Sequence, residues 1–348
     1  MIRINKHEFY ENEILSSINF IKNSDQVFVV TLEKGDLKSI QLDNFEVIEE
    51  TEELVTLINK NLIICENQII YCHADYVEGF FELFKDIEYK NLSLITSQSD
   101  RKITKSLFRK KPKCIRKWYS TNVNYINKNL IPIPLGIAPY RNTKSVVFSD
   151  FELLKEDNLK TKSIYLNFNT NTNYFHRLRA KQSAIKKTGV KFTENKNYLE
   201  YLTELMSYKF SICPWGNGYD THRFWESLYS GTIPITKSHL IFESFRPLPM
   251  ILVKNYKQLS EVNLDLNFNE YNLEKLKISW WINKIRNSNI PIKEDSIKFS
   301  VNDSQFNNII RLNKKFKRKN YIIKKLNTFL RKAHYKINTF HKTLPLIG

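Results

Sequence analysis

The sequence predicts an α/β protein made of two consecutive Rossmann-like, doubly wound units that face a cleft, followed by a basic helical tail. Three observations carry this reading. Short apolar runs alternate with amphipathic stretches between Val27 and Thr96, and the same rhythm restarts at Ser163. A proline-punctuated segment, Ile131–Pro139 (IPIPLGIAP), separates the two runs. From Ser304 to Gly348 the chain carries 12 Lys or Arg and no Asp or Glu. At 348 residues the chain exceeds the roughly 250–300 residues at which single cores stop growing, which also favours two units. The expected bounds are 1–155, 156–300 and a tail over 301–348.

In the first unit, Val27–Leu32 (VFVVTL), Leu62–Cys65, Ile69–Cys72 and Leu92–Thr96 are apolar runs expected as short buried strands. Helical spacing of apolar residues marks Glu53–Asn59 and Tyr76–Phe84 between them. The prolines of Ile131–Pro139 make that segment an edge or a linker. In the second unit Ser163–Phe168 (SIYLNF) reads as a strand, then a polar turn and a helix over Tyr174–Lys187. Val190–Phe192 is expected as a strand, Tyr198–Ser207 as a helix and Phe210–Cys213 as a strand. A helix over Thr221–Ser230 is closed by Gly231 as a C′ glycine. Strands follow at Ile233–Thr236 and Met250–Val253. Tyr271–Asn287 supplies one or two closing helices packed by Trp280 and Trp281.

Charged residues make up 26% of the chain, and the formal charge of +18 is concentrated in the tail. A one-signed run of this length faces phosphate, in nucleic acid or in anionic lipid. Within the tail Ile322, Leu326, Phe329, Ala333, Ile337 and Phe340 recur every three or four residues, a single apolar stripe on a helix. Lys324, Lys325, Arg331, Lys332, Lys336 and Lys342 occupy the other faces. This is the pattern of a segment lying in a membrane interface, with an anionic membrane surface as partner. The alternative is that the stripe packs on the protein's own body. Cys65, Cys72, Cys114 and Cys213 form no C-x-x-C pair, and His73 beside Cys72 has no zinc spacing. The opening residues hold no apolar signal core, and no stretch reaches the roughly 18 apolar residues of a membrane span. The expected location is cytoplasmic, peripheral on the inner face of the cytoplasmic membrane.

The stretch Phe210–Ile235, FSICPWGNGYDTHRFWESLYSGTIPI, concentrates the chemistry. It reads strand, glycine turn, helix, and ligands of doubly wound sheets bind at such strand ends. Gly216 and Gly218 are expected to let a ligand approach the backbone, and Asn217 tolerates left-handed geometry. Asp220 or Thr221 is the expected helix cap, and the helix N-terminus suits a diphosphate. His222 and Arg223 lie in the first turn, where a cation opposes the helix dipole, so Arg223 is expected to serve an anion. Glu226, three residues on, suits a ribose diol. The alternative is that Arg223 and Glu226 pair with each other.

The stretch resembles the C-terminal signature of the exostosin-like glycosyltransferases and of their bacterial relatives that build surface polysaccharides. The matching residues are Pro214, Gly216, Gly218, Asp220, Arg223, Glu226, Gly231, Ile233, Pro234 and Ile235. Scattered pieces elsewhere, LITSQSD, KWYSTN, IPIPLGIA and LNFNTNTN, look like the bacterial members and depart from the animal ones. The resemblance implies a GT-B fold whose second half binds a nucleotide-sugar donor, with Arg223 on the diphosphate and Glu226 on the ribose. It implies inverting sugar transfer to a glycan or lipid-linked acceptor in lipopolysaccharide, O-antigen or capsule synthesis. Arg177, in the Asn-rich turn and helix start Asn167–Arg179, takes the place where such enzymes present a cation to the donor; Arg179, Lys181, Asn171 and Asn173 lie nearby.

The sequence holds no D-x-D pair, so no metal and no cofactor are expected. For the catalytic base Asp75 is favoured, at the end of the strand IIYC, with His73 and Asp100 as alternatives. Two rival readings remain at this point: a catalytically inactive binding protein of the same fold, and a basic nucleic-acid-binding protein without specific nucleic-acid recognition in its body.

Overall fold

In the computed structural model the described residues are 1–4, 7–39, 44–88, 91–141, 146–154, 160–193, 196–286 and 296–343, with backbone only over 335–343. The expected boundary at 155/156 and the stripe side chains of Ile337 and Phe340 lie outside the described residues.

The chain opens with a hairpin, β1 (Ile2–Ile4) and β2 (His7–Phe9), and the short α1 (Ser17–Lys22). It continues through β3 (Gln26–Glu33), β4 (Phe45–Glu50), β5 (Leu54–Asn59), β6 (Asn61–Ile64) and β7 (Ile69–His73). Helix α2 (Val77–Phe84), β8 (Leu92–Ser97), α3 (Lys105–Phe108), β9 (Ile115–Ser120), β10 (Leu130–Pro132) and α4 (Phe148–Glu152) follow. Beyond them come β11 (Lys162–Tyr165), α5 (Tyr174–Thr188), α6 (Tyr198–Met206), β12 (Tyr208–Ile212), α7 (His222–Tyr229) and β13 (Ile233–Lys237). The remainder is α8 (Leu240–Glu243), β14 (Ile251–Val253), α9 (Ile278–Arg286), β15 (Ile297–Ser300) and α10 (Asp303–Thr343).

Two sheets organise these elements. The first has seven strands in the order β10-β9-β8-β7-β3-β5-β4, and the second four in the order β11-β12-β13-β14. All neighbours in the second sheet are parallel. In the first, the run from β10 to β3 is parallel, while β5 pairs antiparallel with both β3 and β4. The molecule is therefore α/β with Rossmann-like parallel runs, but its first sheet is mixed rather than wholly parallel.

The antiparallel edge arises where a helix was expected. Leu54, Leu57 and Ile58 satisfy a helical period, yet Glu53–Asn59 folds as β5, paired Leu32 to Val55 and Val30 to Leu57. Val55, Thr56, Leu57 and Ile58 are all buried, so both faces of the segment are covered, which suits its β-branched residues to a strand. Leu62–Cys65 forms a strand, but outside the main sheet: β6 pairs with β15, Asn61 opposite Ser300. Val190–Phe192 forms no strand; a single backbone bond from Thr193 N–H to Leu166 O (3.1 Å) holds the segment near β11. Gly231 ends α7 at φ +64°, the left-handed residue expected there. Trp281 is fully buried in α9, as expected of the closing helix. All four cysteines are free and buried.

The first turns of α10 pack against α2. Ile309 is buried, and a Cβ on Gly79 would lie 2.9 Å from its Cγ2, so the glycine lets the two helices approach. Phe316 lies under the Arg101 guanidinium at 4.1 Å.

Candidate functional site

A cleft of about 940 Å³ opens between the C-terminal ends of the two sheets. In the first sheet the parallel strands β3, β7, β8, β9 and β10 end on the same side, and ligands of parallel sheets bind outside such carboxyl ends. His73 at the end of β7 and Gln98, Ser99 and Asp100 after β8 line one wall. Asn167–Thr172 after β11, Gly216–Thr221 after β12, and Arg223 and Glu226 on α7 line the other.

Arg223 lines this cleft and, among the described residues, forms no ion pair. Its Nη1 is buried and makes no hydrogen bond, and its guanidinium lies 4.6 Å from the Tyr201 ring. Burial opposes the charge, but Tyr201 and Glu226 offset it and hold the guanidinium pKa above its usual value. Glu226, 5% exposed, accepts a hydrogen bond from the Tyr201 hydroxyl at 2.8 Å. Among the described residues no ion pair joins Arg223 to Glu226, so the mutual pairing open from sequence is not formed.

Arg177, 8% exposed on α5, adds a second cation. It donates through Nε to Trp215 O (3.0 Å), through Nη1 to Asn169 O (2.8 Å) and through Nη2 to Pro214 O (3.5 Å). Its partners are neutral carbonyls, which orient it without cancelling its charge. Burial and the neighbouring Arg223 lower it to about 10, so it stays charged at neutral pH. Two guanidiniums side by side, neither with a carboxylate at ion-pair distance among the described residues, make an electropositive recess that an anion completes.

The glycine turn is built differently from expectation. Gly216, Asn217 and Gly218 all have negative φ, so left-handed geometry is not used here. A Cβ on Gly218 would lie 2.3 Å from Asn122 Oδ1, and one on Gly216 would lie 3.4 Å from Arg177 Nη2. Gly218 makes room for the Asn122 side chain, whereas a Cβ at Gly216 would meet its neighbours at ordinary van der Waals distance. Asn122, 2% exposed and itself left-handed at φ +54°, accepts Tyr219 N–H at 2.9 Å and donates to Ser99 O at 3.1 Å. It thereby ties the turn to the loop that carries Asp100. Asn173 braces the same turn by donating to Gly216 O at 2.8 Å, while Asn217 is exposed at the rim.

Asp220 and His222 line the cleft, and their polar atoms also hold it together. Asp220 accepts Leu135 N–H (2.7 Å) through one oxygen and Trp225 Nε1–H (2.8 Å) through the other, and burial pushes it up to about 7. Thr221 occupies the N-cap of α7 with no side-chain cap bond, so neither residue caps the helix as expected. His222 Nδ1 meets Gly136 O at 2.8 Å; a carbonyl only accepts, so the proton sits on Nδ1 and Nε2 is left as an acceptor. The proline segment after β10 is thus fastened onto α7.

The three base candidates separate by geometry. Asp75 is not among the residues lining the cleft; its carboxylate accepts the Ser99 hydroxyl and its carbonyl accepts Arg101 Nη1 at 3.0 Å. His73 lines the cleft, but its Nδ1 accepts Asp75 N–H at 3.2 Å, which places the proton on Nε2. Burial lowers its pKa, so His73 presents a neutral N–H donor and no free lone pair. Asp100 is exposed and lines the cleft, and its charge acts on Arg177. Asn122 and Tyr201 are the site residues that sequence reasoning missed; the conspicuous KWYSTN run was the available signal for the first. The chain matches no known family model and no curated protein.

Proposed function

We propose that the protein is an inverting glycosyltransferase of GT-B type, moving a sugar from a nucleotide-sugar donor to a glycan or lipid-linked acceptor in bacterial surface-polysaccharide synthesis. The observation that carries this reading is the pair of buried guanidiniums Arg177 and Arg223, neither in an ion pair among the described residues, beside the buried Glu226 at parallel strand ends. In it, the seven-stranded and the four-stranded sheet centre two Rossmann-like halves, and the second binds the donor.

Each charged group then has a role. Arg223, Arg177 and the first N–H groups of α7 hold the donor diphosphate, and Glu226, steadied by Tyr201, accepts hydrogen bonds from the ribose hydroxyls. Asp100 takes the proton of the acceptor hydroxyl as that oxygen bonds to the anomeric carbon from the face opposite the diphosphate. The bond from that carbon to the diphosphate oxygen breaks and the electron pair stays on the diphosphate, where the guanidiniums neutralise it. Configuration at the anomeric carbon inverts. The two arginines supply the countercharge, so the reading expects transfer without a divalent metal.

The test is release of nucleoside diphosphate from a panel of nucleotide sugars, in the presence of a chelator, by the wild-type chain and by Asp100→Asn. The expected result is release from one nucleotide class, reduced about 10²–10⁴-fold in the variant with donor binding kept. Undiminished release by Asp100→Asn would remove Asp100 from the mechanism. Binding without release from any donor would favour the inactive binding protein of the same fold.

A further inference from the structure

The middle of α10 is a helix without a protein partner. Every residue from Tyr321 to Leu330 is exposed, including Ile322 (66%), Leu326 and Phe329 (67%). Both flanks of this stretch are anchored. On the N-terminal side Ile309 is buried against α2, and Lys317 pairs with Glu49 at 2.5 Å. On the C-terminal side His334 Nδ1 lies 3.3 Å from the Tyr174 hydroxyl and its ring stacks edge-on at 5.5 Å from Phe175.

At about 100° per residue, Ile309, Phe316 and His334 fall on one side of the helix, and Ile322, Leu326, Phe329 and Ala333 fall about a third of a turn away. The apolar stripe is therefore presented away from the protein by a helix anchored on both sides of the stretch. Lys325 and Lys332 border it, while Lys324 and Arg331 lie on the opposite face, within a segment from Ser304 onward that holds no acidic residue. A contiguous exposed apolar face marks an interaction surface, and its basic borders select an anionic, amphipathic partner. Among the described residues no helix is long and apolar enough to cross a membrane.

We infer that the segment Tyr321–Lys332 docks on an anionic lipid surface, the stripe entering the acyl boundary and the bordering Lys325 and Lys332 meeting the headgroups. Through His334 the helix meets Tyr174 and Phe175, the first residues of α5, which also carries Arg177. Docking would thus fix the orientation of the cleft to the lipid surface. The lipid interaction stands on α10 alone, and only its use in presenting a lipid-linked acceptor rests on the transferase reading.

The experiment is co-sedimentation of the full chain with phosphatidylcholine vesicles, with and without phosphatidylglycerol. Binding is expected only to the anionic vesicles, falling with added salt. The combined substitution Ile322→Glu, Leu326→Glu, Phe329→Glu should abolish it at unchanged Tm, since none of the three touches the body. Replacing Lys325 and Lys332 by Ala should weaken binding about fivefold per charge removed. Equal binding to both vesicle types, or binding undiminished in the Glu variant, would overturn the inference. So would a chain that ignores vesicles and binds duplex DNA, or one that self-associates through the stripe. Nucleotide-sugar binding is measured separately, so loss of the lipid result leaves the donor site untouched.

Discussion

Asn122 occupies the space in which Gly218 would carry a Cβ, and its amide joins the two walls of the cleft. A Cβ at Gly218 would stand 2.3 Å from Asn122 Oδ1, while that oxygen accepts Tyr219 N–H and Nδ2 donates to Ser99 O. The carbonyl so held belongs to the residue before Asp100. In the transferase reading, Asn122 is the pin that sets the base against the donor turn.

Gly218→Ala must therefore displace Asn122. We expect it to destabilise the fold by about 1–3 kcal/mol, as overpacking does. Asn122→Ala in the same chain should relieve part of that loss. Denaturant unfolding of the two single variants and the double variant measures this, and a coupling of about 0.5–3 kcal/mol is expected for residues in contact. Strict additivity would mean that the two positions do not meet.

The two arginines should separate under mutation. Among the described residues the buried Arg223 Nη1 has no hydrogen-bond partner, so Arg223→Ala should leave Tm unchanged or raised while weakening nucleoside diphosphate binding by about 1.5–3 kcal/mol. Arg177 joins Asn169, Pro214 and Trp215 through their carbonyls, so Arg177→Ala should lower both Tm and affinity. Thermal unfolding paired with calorimetric titration reads the two effects apart.

Two histidines give the fold an acid limit. His176 stacks on Trp215 at 5.0 Å and is pushed down to about 4 by burial, with Lys237, Arg177 and Arg179 adding to the shift. His239 stacks on Tyr219 at 3.7 Å and is pushed down to about 4 by burial and by Lys102. The unfolded chain takes up these protons near 6.5 and the folded chain only near 4, so their contribution is whole above 6.5 and is lost as pH falls toward 4. Asp220, raised to about 7, has the opposite slope between its ordinary 3.8 and that value. The comparison that isolates the histidines is therefore Tm against pH for wild type and for His176→Gln/His239→Gln. The double variant should lose less stability on acidification.

The strands legible in the sequence are those whose apolar runs admit one period, such as Ile69–Cys72 and Leu92–Thr96, buried on both faces in the parallel run. Glu53–Asn59 was ambiguous because Leu54, Leu57 and Ile58 fit a helix as well as a strand; its pairing with β3 decides it, and pairing is not a local property. The glycine turn was recognisable, but the use of its glycines was not. The missing Cβ of Gly218 accommodates Asn122, which arrives from a distant part of the chain. Asp75 and Asp100 both follow strands of one sheet, and local sequence holds nothing to say which enters the cleft. The Ser99 hydroxyl on Asp75 and the backbone N–H on His73 make that distinction in three dimensions.

The central claim is that Arg223 and Arg177 form a diphosphate site for a nucleotide sugar. Calorimetric titration of the wild-type chain and of Arg223→Ala with nucleoside diphosphates and their sugar conjugates, in the presence of a chelator, tests it most directly. The account predicts saturable binding of one nucleotide class by the wild type, weakened at least tenfold in Arg223→Ala. Absence of binding across the panel, or equal affinity in the two proteins, would contradict it.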